Sequence, residues 1–190
     1  MGKSFDAILP EHEAFIKKQH IFFVGSATAD SHINISPKGH DVLRIFSPTD
    51  VAYLDLTGSG NETSAHLLED GRITIMFIAF EGAPNIMRLY GTGHVVLPGT
   101  PEWDELIGHF TLLPGARQII RATIHSVKTS CGYSVPFMSY TGERETLNKW
   151  ASHKGEEALV SYRQEKNAVS MDGIVTPLGR QWVEDPPAEQ

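Results

Sequence analysis

The chain has 190 residues, 41% hydrophobic and 21% charged, which suits one soluble globular domain with a sizeable core and falls short of two. Its net charge of -7 excludes nucleic acid as the main partner, because a phosphate backbone demands a clustered basic footprint; one small phosphate held by local groups remains compatible. The single cysteine, Cys131, excludes an intrachain disulfide and fits a cytoplasmic location, and no apolar stretch is long enough to span a bilayer, so no membrane is expected as a partner.

The N-terminus runs into charged sequence rather than an apolar signal region. Residues 9–19 read as a short helix, with Pro10 in the first turn, Glu11 and Glu13 at the positive end and Lys17 and Lys18 at the other. His12 and His20, in or beside it, read as surface groups. Strand patterns follow at 21–27, 32–36, 41–46 and 51–57. Asn61 or Ser59 caps a helix over 62–69, closed by Asp70 and Gly71. Residues 72–80 form the strongest strand and 86–96 its antiparallel neighbour, with Gly91 and Gly93 marking a bulge or a close backbone approach. Thr100 and Pro101 open a helix over 102–110, and 118–127 is another strand. This succession, with only brief helices between strands, predicts an antiparallel sheet closing into a small barrel rather than parallel βαβ units.

Beyond Cys131 the character changes. Helices are predicted over 145–152 and 156–166, then a turn-rich stretch at 167–173 and an acidic, proline-rich, frayed end at 184–190. The division is a barrel over 1–130 and a helical extension over 131–190 that packs on the barrel or on a partner, the whole being a single structural domain. Tyr133, Phe137, Tyr140 and Trp150 make the extension rich in aromatics.

The most informative stretch is Tyr53-Leu54-Asp55-Leu56-Thr57-Gly58-Ser59-Gly60-Asn61-Glu62-Thr63-Ser64, where a strand ends in a Gly/Ser loop that runs straight into a helix. Such a junction presents free N–H groups and hydroxyls at the positive end of a helix dipole, a seat for a phosphate. A second candidate, Asn34-Ile35-Ser36-Pro37-Lys38-Gly39, ends the strand segment before it. Two such strand ends point to a phosphorylated cofactor. Each residue also has a plainer reading: Lys38 as a solvated turn lysine, Asn61, Thr63 and Ser64 as helix caps, Arg88 as half of a rim salt bridge. The nine histidines include no HxH or HxxxH pair with a carboxylate at ligand spacing, so no metal site is expected. No catalytic acid or base is identifiable.

In this order the motifs resemble the pyridoxamine phosphate oxidase-like family. The carriers are Ile33 to Gly39, Tyr53 to Thr57, Gly60 to Leu67, Gly71-Arg-Ile-Thr-Ile-Met-Phe and Arg88-Leu-Tyr-Gly-Thr-Gly, within residues 10–127. The resemblance implies a mainly β fold with peripheral helices, a six-stranded antiparallel split β-barrel, and a homodimer with FMN in a groove between subunits. It assigns the FMN contacts to Ser36, Pro37, Lys38, Thr57, Asn61, Glu62, Thr63 and Ser64. Arg88 would stand near the flavin's pyrimidine edge, stabilising charge on the reduced ring. The chain departs from its relatives where they place Arg or Lys and it has Glu62-Thr63-Ser64, so phosphate binding rests on Lys38, hydroxyls and backbone amides. The C-terminal Arg/Trp substrate elements of the authentic oxidase are absent. The function expected is that of an FMN flavoprotein, an oxidoreductase acting on an unidentified small molecule. The alternative is a non-catalytic flavin, haem or deazaflavin (F420) binding protein.

Overall fold

A computed structural model describes residues 2–182. Eight strands are present: β1 (Lys3–Phe5), β2 (Phe22–Ser26), β3 (Asn34–Lys38), β4 (Leu43–Ser47), β5 (Asp50–Leu56), β6 (Arg72–Ile78), β7 (Ile86–Val96) and β8 (Ala116–Ser130). The helices are α1 (Pro10–Ile16), α2 (Glu62–Glu69), α3 (Pro101–Ile107), α4 (Thr146–Lys154) and α5 (Glu156–Lys166), with a 3-10 turn at Gly179–Gln181.

All the strands pair antiparallel in the order β3-β2-β6-β7-β8-β5-β4, and β1 joins β8. The expected split β-barrel is therefore present, but its sheet has eight strands rather than six and does not close on itself. The length of β8 accommodates the added strand β1. The 15 residues of β8 pair with β7 along one edge and have room for β5 and then β1 on the other.

The burial patterns follow from strand periodicity. β2 and β6 alternate buried and half-buried or exposed positions, as strands with one face on a core do. β5 is buried almost throughout because it carries apolar residues on both faces. The core gathers Val24, Val51, Tyr53, Leu54, Ile75, Phe77, Leu89, Ile119 and Ile120 into one cluster. The β7–β8 register shifts between Tyr90 and Gly91. A Cβ on Gly91 would lie 2.3 Å from the Thr123 carbonyl oxygen, so only glycine permits the strands to approach there.

Two local expectations are corrected. His12 is buried rather than at the surface: its Nδ1 accepts the Leu9 N–H at 3.1 Å and its ring meets Phe5 edge-on. Asn61 occupies the N-cap position of α2 but makes no side-chain cap hydrogen bond, because its amide is drawn into the interior. The Thr100 hydroxyl does cap α3, accepting the Trp103 N–H at 3.2 Å.

The extension packs against the barrel. Ala151 of α4 lies against Gly115, Leu159 of α5 is buried, and half-buried Trp150 meets Tyr162 edge-on. Residues 167–182 then cross back over the loop between β5 and α2 as a strap, fastened by Asn167 to Gly58 and Asn61 and by Met171 to Glu62. The tail expected to fray, 184–190, lies outside the described residues. Among those described, no helix is long and apolar enough to cross a membrane.

Candidate functional site

The ends of β3 and β5 and the start of β8 converge on Asp55, a carboxylate only 3% exposed. Lys38 Nζ donates to its Oδ1 at 2.7 Å, and Arg117 Nε and Gln118 Nε2 donate to its Oδ2 at 2.8 and 2.9 Å. Burial by itself would raise the Asp55 pKa. The Arg117 charge, followed by Lys38 and their hydrogen bonds, overturns that and holds the carboxyl well below the usual carboxylate range. Two cations thus share one anion, and the cluster carries a net positive charge. Arg117 also donates from Nη1 to the Gly60 carbonyl at 3.0 Å, tying the cluster to the glycine-rich loop.

Beside these cations are two buried hydroxyls, Ser36 Oγ and Tyr53 OH, without hydrogen-bond partners among the described residues. Lys38 lies over the Tyr53 ring, 5.6 Å from its centre. Burial, and after it the Asp55 charge, pushes the Tyr53 pKa well above its ordinary value, although Arg117 and the nearby Thr63 side chain pull the other way. The phenol therefore keeps its proton, and no described group within hydrogen-bond distance accepts it.

β3 presents this polar row because alternate residues of a strand face opposite ways. Asn34, Ser36 and Lys38 are half-buried, while Ile35 and Pro37 are exposed. Pro37, lacking an N–H, sits on an edge strand, where no ladder bond is lost.

The loop before α2 is less open than its sequence suggests. The Thr57 hydroxyl donates to the Gly115 carbonyl at 2.8 Å and accepts from Arg163 Nε at 2.9 Å. Asn61 Oδ1 accepts from Gln118 at 2.8 Å, and the Ser64 hydroxyl donates to Gln118 Oε1 at 3.3 Å. Thr63 Oγ1 accepts from Asn34 at 3.0 Å and from the Ser26 hydroxyl at 3.5 Å. Glu62 accepts the Met171 N–H at 3.1 Å.

The structure thus gathers Ser36, Lys38, Thr57, Asn61, Glu62, Thr63 and Ser64 in one region, with Pro37 on the outer face beside them. It does not bring Arg88 there. Arg88 lies on β7, with β2 and β6 between it and β3, and donates to the Ser130 hydroxyl at 3.4 Å. Neither the predicted salt bridge nor any other ion pair forms at Arg88 among the described residues.

Sequence reasoning missed Asp55, Arg117 and Gln118. Asp55 did carry a signal, since a carboxylate two residues after Tyr53 on a buried strand requires a cationic partner. Arg117 and Gln118 carried none, being two of many polar residues on a strand that mixes apolar and polar positions along its length.

Residues 8–131 match the family model for pyridoxamine 5'-phosphate oxidase. The pyridoxamine 5'-phosphate oxidase family protein ustO of Aspergillus flavus is 39% identical over 177 residues, spanning 83% of this chain and 70% of that protein. Among solved structures, a Lactobacillus delbrueckii protein provisionally assigned as a pyridoxamine 5'-phosphate oxidase aligns with a TM-score of 0.51 and 15% identity, over 65% of this chain and 94% of its own. A histidine-to-alanine variant of HupZ from Group A Streptococcus aligns with a TM-score of 0.50 and 20% identity, over 65% of this chain and 99% of its own. At these identities the two structures speak for the fold alone.

Proposed function

The chain belongs to the pyridoxamine 5'-phosphate oxidase family, and on that premise we propose that it is a homodimeric flavoprotein. It binds FMN and acts as an oxidoreductase on a small molecule. The observation that carries this reading is the cluster of Lys38 and Arg117 over the single carboxylate of Asp55, with the unused hydroxyls of Ser36 and Tyr53 beside it. A net positive site with spare donors suits an anionic phosphate ester.

FMN, when bound, supplies the electron-transfer chemistry. The chain's own residues hold and orient it. Lys38 is the least buried cation of the cluster, 20% exposed at its side chain against 5% for Arg117, and is the one able to turn from Asp55 toward a phosphate. Arg117 then stays as the partner that keeps Asp55 neutralised. The side chains of Thr57, Asn61 and Ser64 are committed to internal bonds, so the loop contributes its shape and the backbone N–H groups of the first turn of α2 rather than its hydroxyls.

The test is a fluorescence titration of the full chain with FMN and with riboflavin. FMN is expected to saturate at a micromolar dissociation constant, about -8 kcal/mol. Lys38→Ala is expected to weaken FMN by about 1.5–3 kcal/mol, the value of a hydrogen bond to a charged group, and riboflavin far less. Equal losses for both ligands remove the phosphate role of Lys38; no saturable FMN binding removes the flavin reading. Reduction of the bound flavin by NAD(P)H then separates an oxidoreductase from a protein that only binds the cofactor.

The homodimer is proposed from the outer face of β3 and the segment after β8. Ile33 and Ile35 are 78% and 67% exposed, and Tyr133, Phe137 and Met138 stand exposed as well. An apolar edge strand of this kind requires a cover, and a second copy of the chain supplies one. Light scattering is expected to give about twice the 21.0 kDa chain mass, with Ile35→Lys shifting the protein toward the monomer. A wild-type monomer at low micromolar concentration rules this out.

A further inference from the structure

We propose that Glu62, His66 and Asp172 form a binding site for a divalent transition-metal cation. The site is separate from the flavin reading and stands on its own observations. Glu62 and His66 lie one turn apart on α2 and so share a face. Asp172 comes from the strap. One ligand atom from each of the three lies within 4.8 Å of the others.

The decisive group is His66, whose residue is 1% exposed. Its Nδ1 is 3.0 Å from the Ser26 hydroxyl, and its Nε2 has no hydrogen-bond partner among the described residues. A buried imidazole nitrogen left unpaired is costly. A cation on Nε2 removes that cost, and the arrangement at Nδ1 is the one such a ligand needs. With Nδ1–H donating to Ser26, the lone pair sits on Nε2, and Ser26 directs its own proton toward Thr63 Oγ1. Metal-bound histidines are held in this way through the other ring nitrogen.

The two carboxylates are also positioned from behind. Glu62 accepts the Met171 N–H at 3.1 Å, and Asp172 accepts the backbone N–H and pairs with Nδ1 of His32 at 3.0 and 2.5 Å. Among the described residues neither carboxylate pairs with a lysine or an arginine. Two carboxylates and a neutral imidazole balance a 2+ ion. One nitrogen and two oxygen donors suit zinc, manganese, iron(II) or cobalt(II), and three protein ligands leave a position open.

A cavity of about 310 Å³ opens on the Asp172 side of the cluster, lined by Asp30, Glu69, Asp70 and Asp172 among others. Asp70 is tied to Arg72, which leaves Asp30 and Glu69 to add negative field beside Asp172. A bound metal would join α2 to the strap and fix the strap over the loop beneath it.

The experiment uses the full chain, freed of metal with a chelator. Cobalt(II) serves as the probe, read by its visible ligand-field bands, with zinc as competitor. One cobalt per chain is expected, displaced by zinc. Glu62→Gln and Asp172→Asn are each expected to lower cobalt affinity at least tenfold, and Ser26→Ala, which only orients the ring, by about 10–100-fold. Circular dichroism in chelator checks that each variant is folded, and the half-buried carboxylate variants avoid dependence on His66→Ala, which empties a core position. Zinc should raise the unfolding temperature of the wild type and not of Asp172→Asn. The proposal is overturned if cobalt does not bind at micromolar concentrations, or if it binds the wild type and both carboxylate variants alike, which would place the ion on other histidines.

Discussion

Replacing Asp55 by asparagine is expected to destabilise the fold by about 3–5 kcal/mol, the typical cost of leaving a buried charge without its partner. The substitution keeps the size of the side chain, removes the charge and turns one of the two accepting oxygens into an NH2 donor that faces other donors. Lys38 can then lift its ammonium toward solvent. Arg117 cannot: its side chain is 5% exposed and its other contact is one carbonyl, that of Gly60. The loss should appear as a lowered urea midpoint at an unchanged slope. Its pH dependence has a definite sign. The folded carboxyl titrates below its unfolded value of about 3.9, so its contribution is complete above that value and is lost as pH falls toward the folded pKa. The stability gap between wild type and Asp55→Asn should therefore be constant from about pH 6 to 8 and shrink below about pH 4. A variant as stable as the wild type at neutral pH would mean that the Lys38–Asp55–Arg117 cluster contributes nothing net.

How much of this is legible in the sequence depends on the range of the signal. α2 is legible to the residue because its start and stop are local, a Gly/Ser loop before Glu62 and Asp70-Gly71 after Glu69. β6 is legible because Arg72 to Ile78 carries an unbroken strand pattern. The site is not legible in the same way. Asp55, Arg117 and Lys38 are far apart in the chain, and only the β3, β5 and β8 registers bring them together. Thr57, Asn61 and Ser64 stand out in the sequence as polar groups at a strand end, but sequence does not show that Gly115, Gln118 and Arg163 take up their bonds. The same holds for Glu62 and His66. Their spacing on α2 is plain, yet the group that makes them a cluster, Asp172, is 106 residues beyond His66, in a stretch that reads only as a turn-rich end.

The strap that delivers Asp172 depends on a single missing side chain, and Gly179→Ala is expected to release it. A Cβ on Gly179 would lie 2.0 Å from the Ala168 carbonyl oxygen and 2.7 Å from its carbonyl carbon and Cα. These are backbone atoms, so no rotamer change relieves the contact. The same Ala168 carbonyl accepts the Thr176 N–H at 2.9 Å, and the Thr176 hydroxyl accepts the Gly179 N–H at 2.9 Å while donating to the Asn167 carbonyl at 2.8 Å. A methyl group forced into this knot must part 167–169 from 176–179. Asn167 then lets go of Gly58 and Asn61, and the loop before α2 is uncovered. Overpacking of this kind costs about 1–3 kcal/mol, more where backbone must move, and here it falls on the strap first. Limited proteolysis should cut within 167–182 in Gly179→Ala under conditions that leave the wild type intact, and cobalt affinity should fall with it because Asp172 is no longer held beside His66. Gly108→Ala, where an added Cβ meets nothing within 4 Å, is the control and should change neither. If Gly179→Ala resists protease and binds cobalt as the wild type does, the strap does not close over the loop through this knot, and the Asp172 ligand must be placed by other contacts.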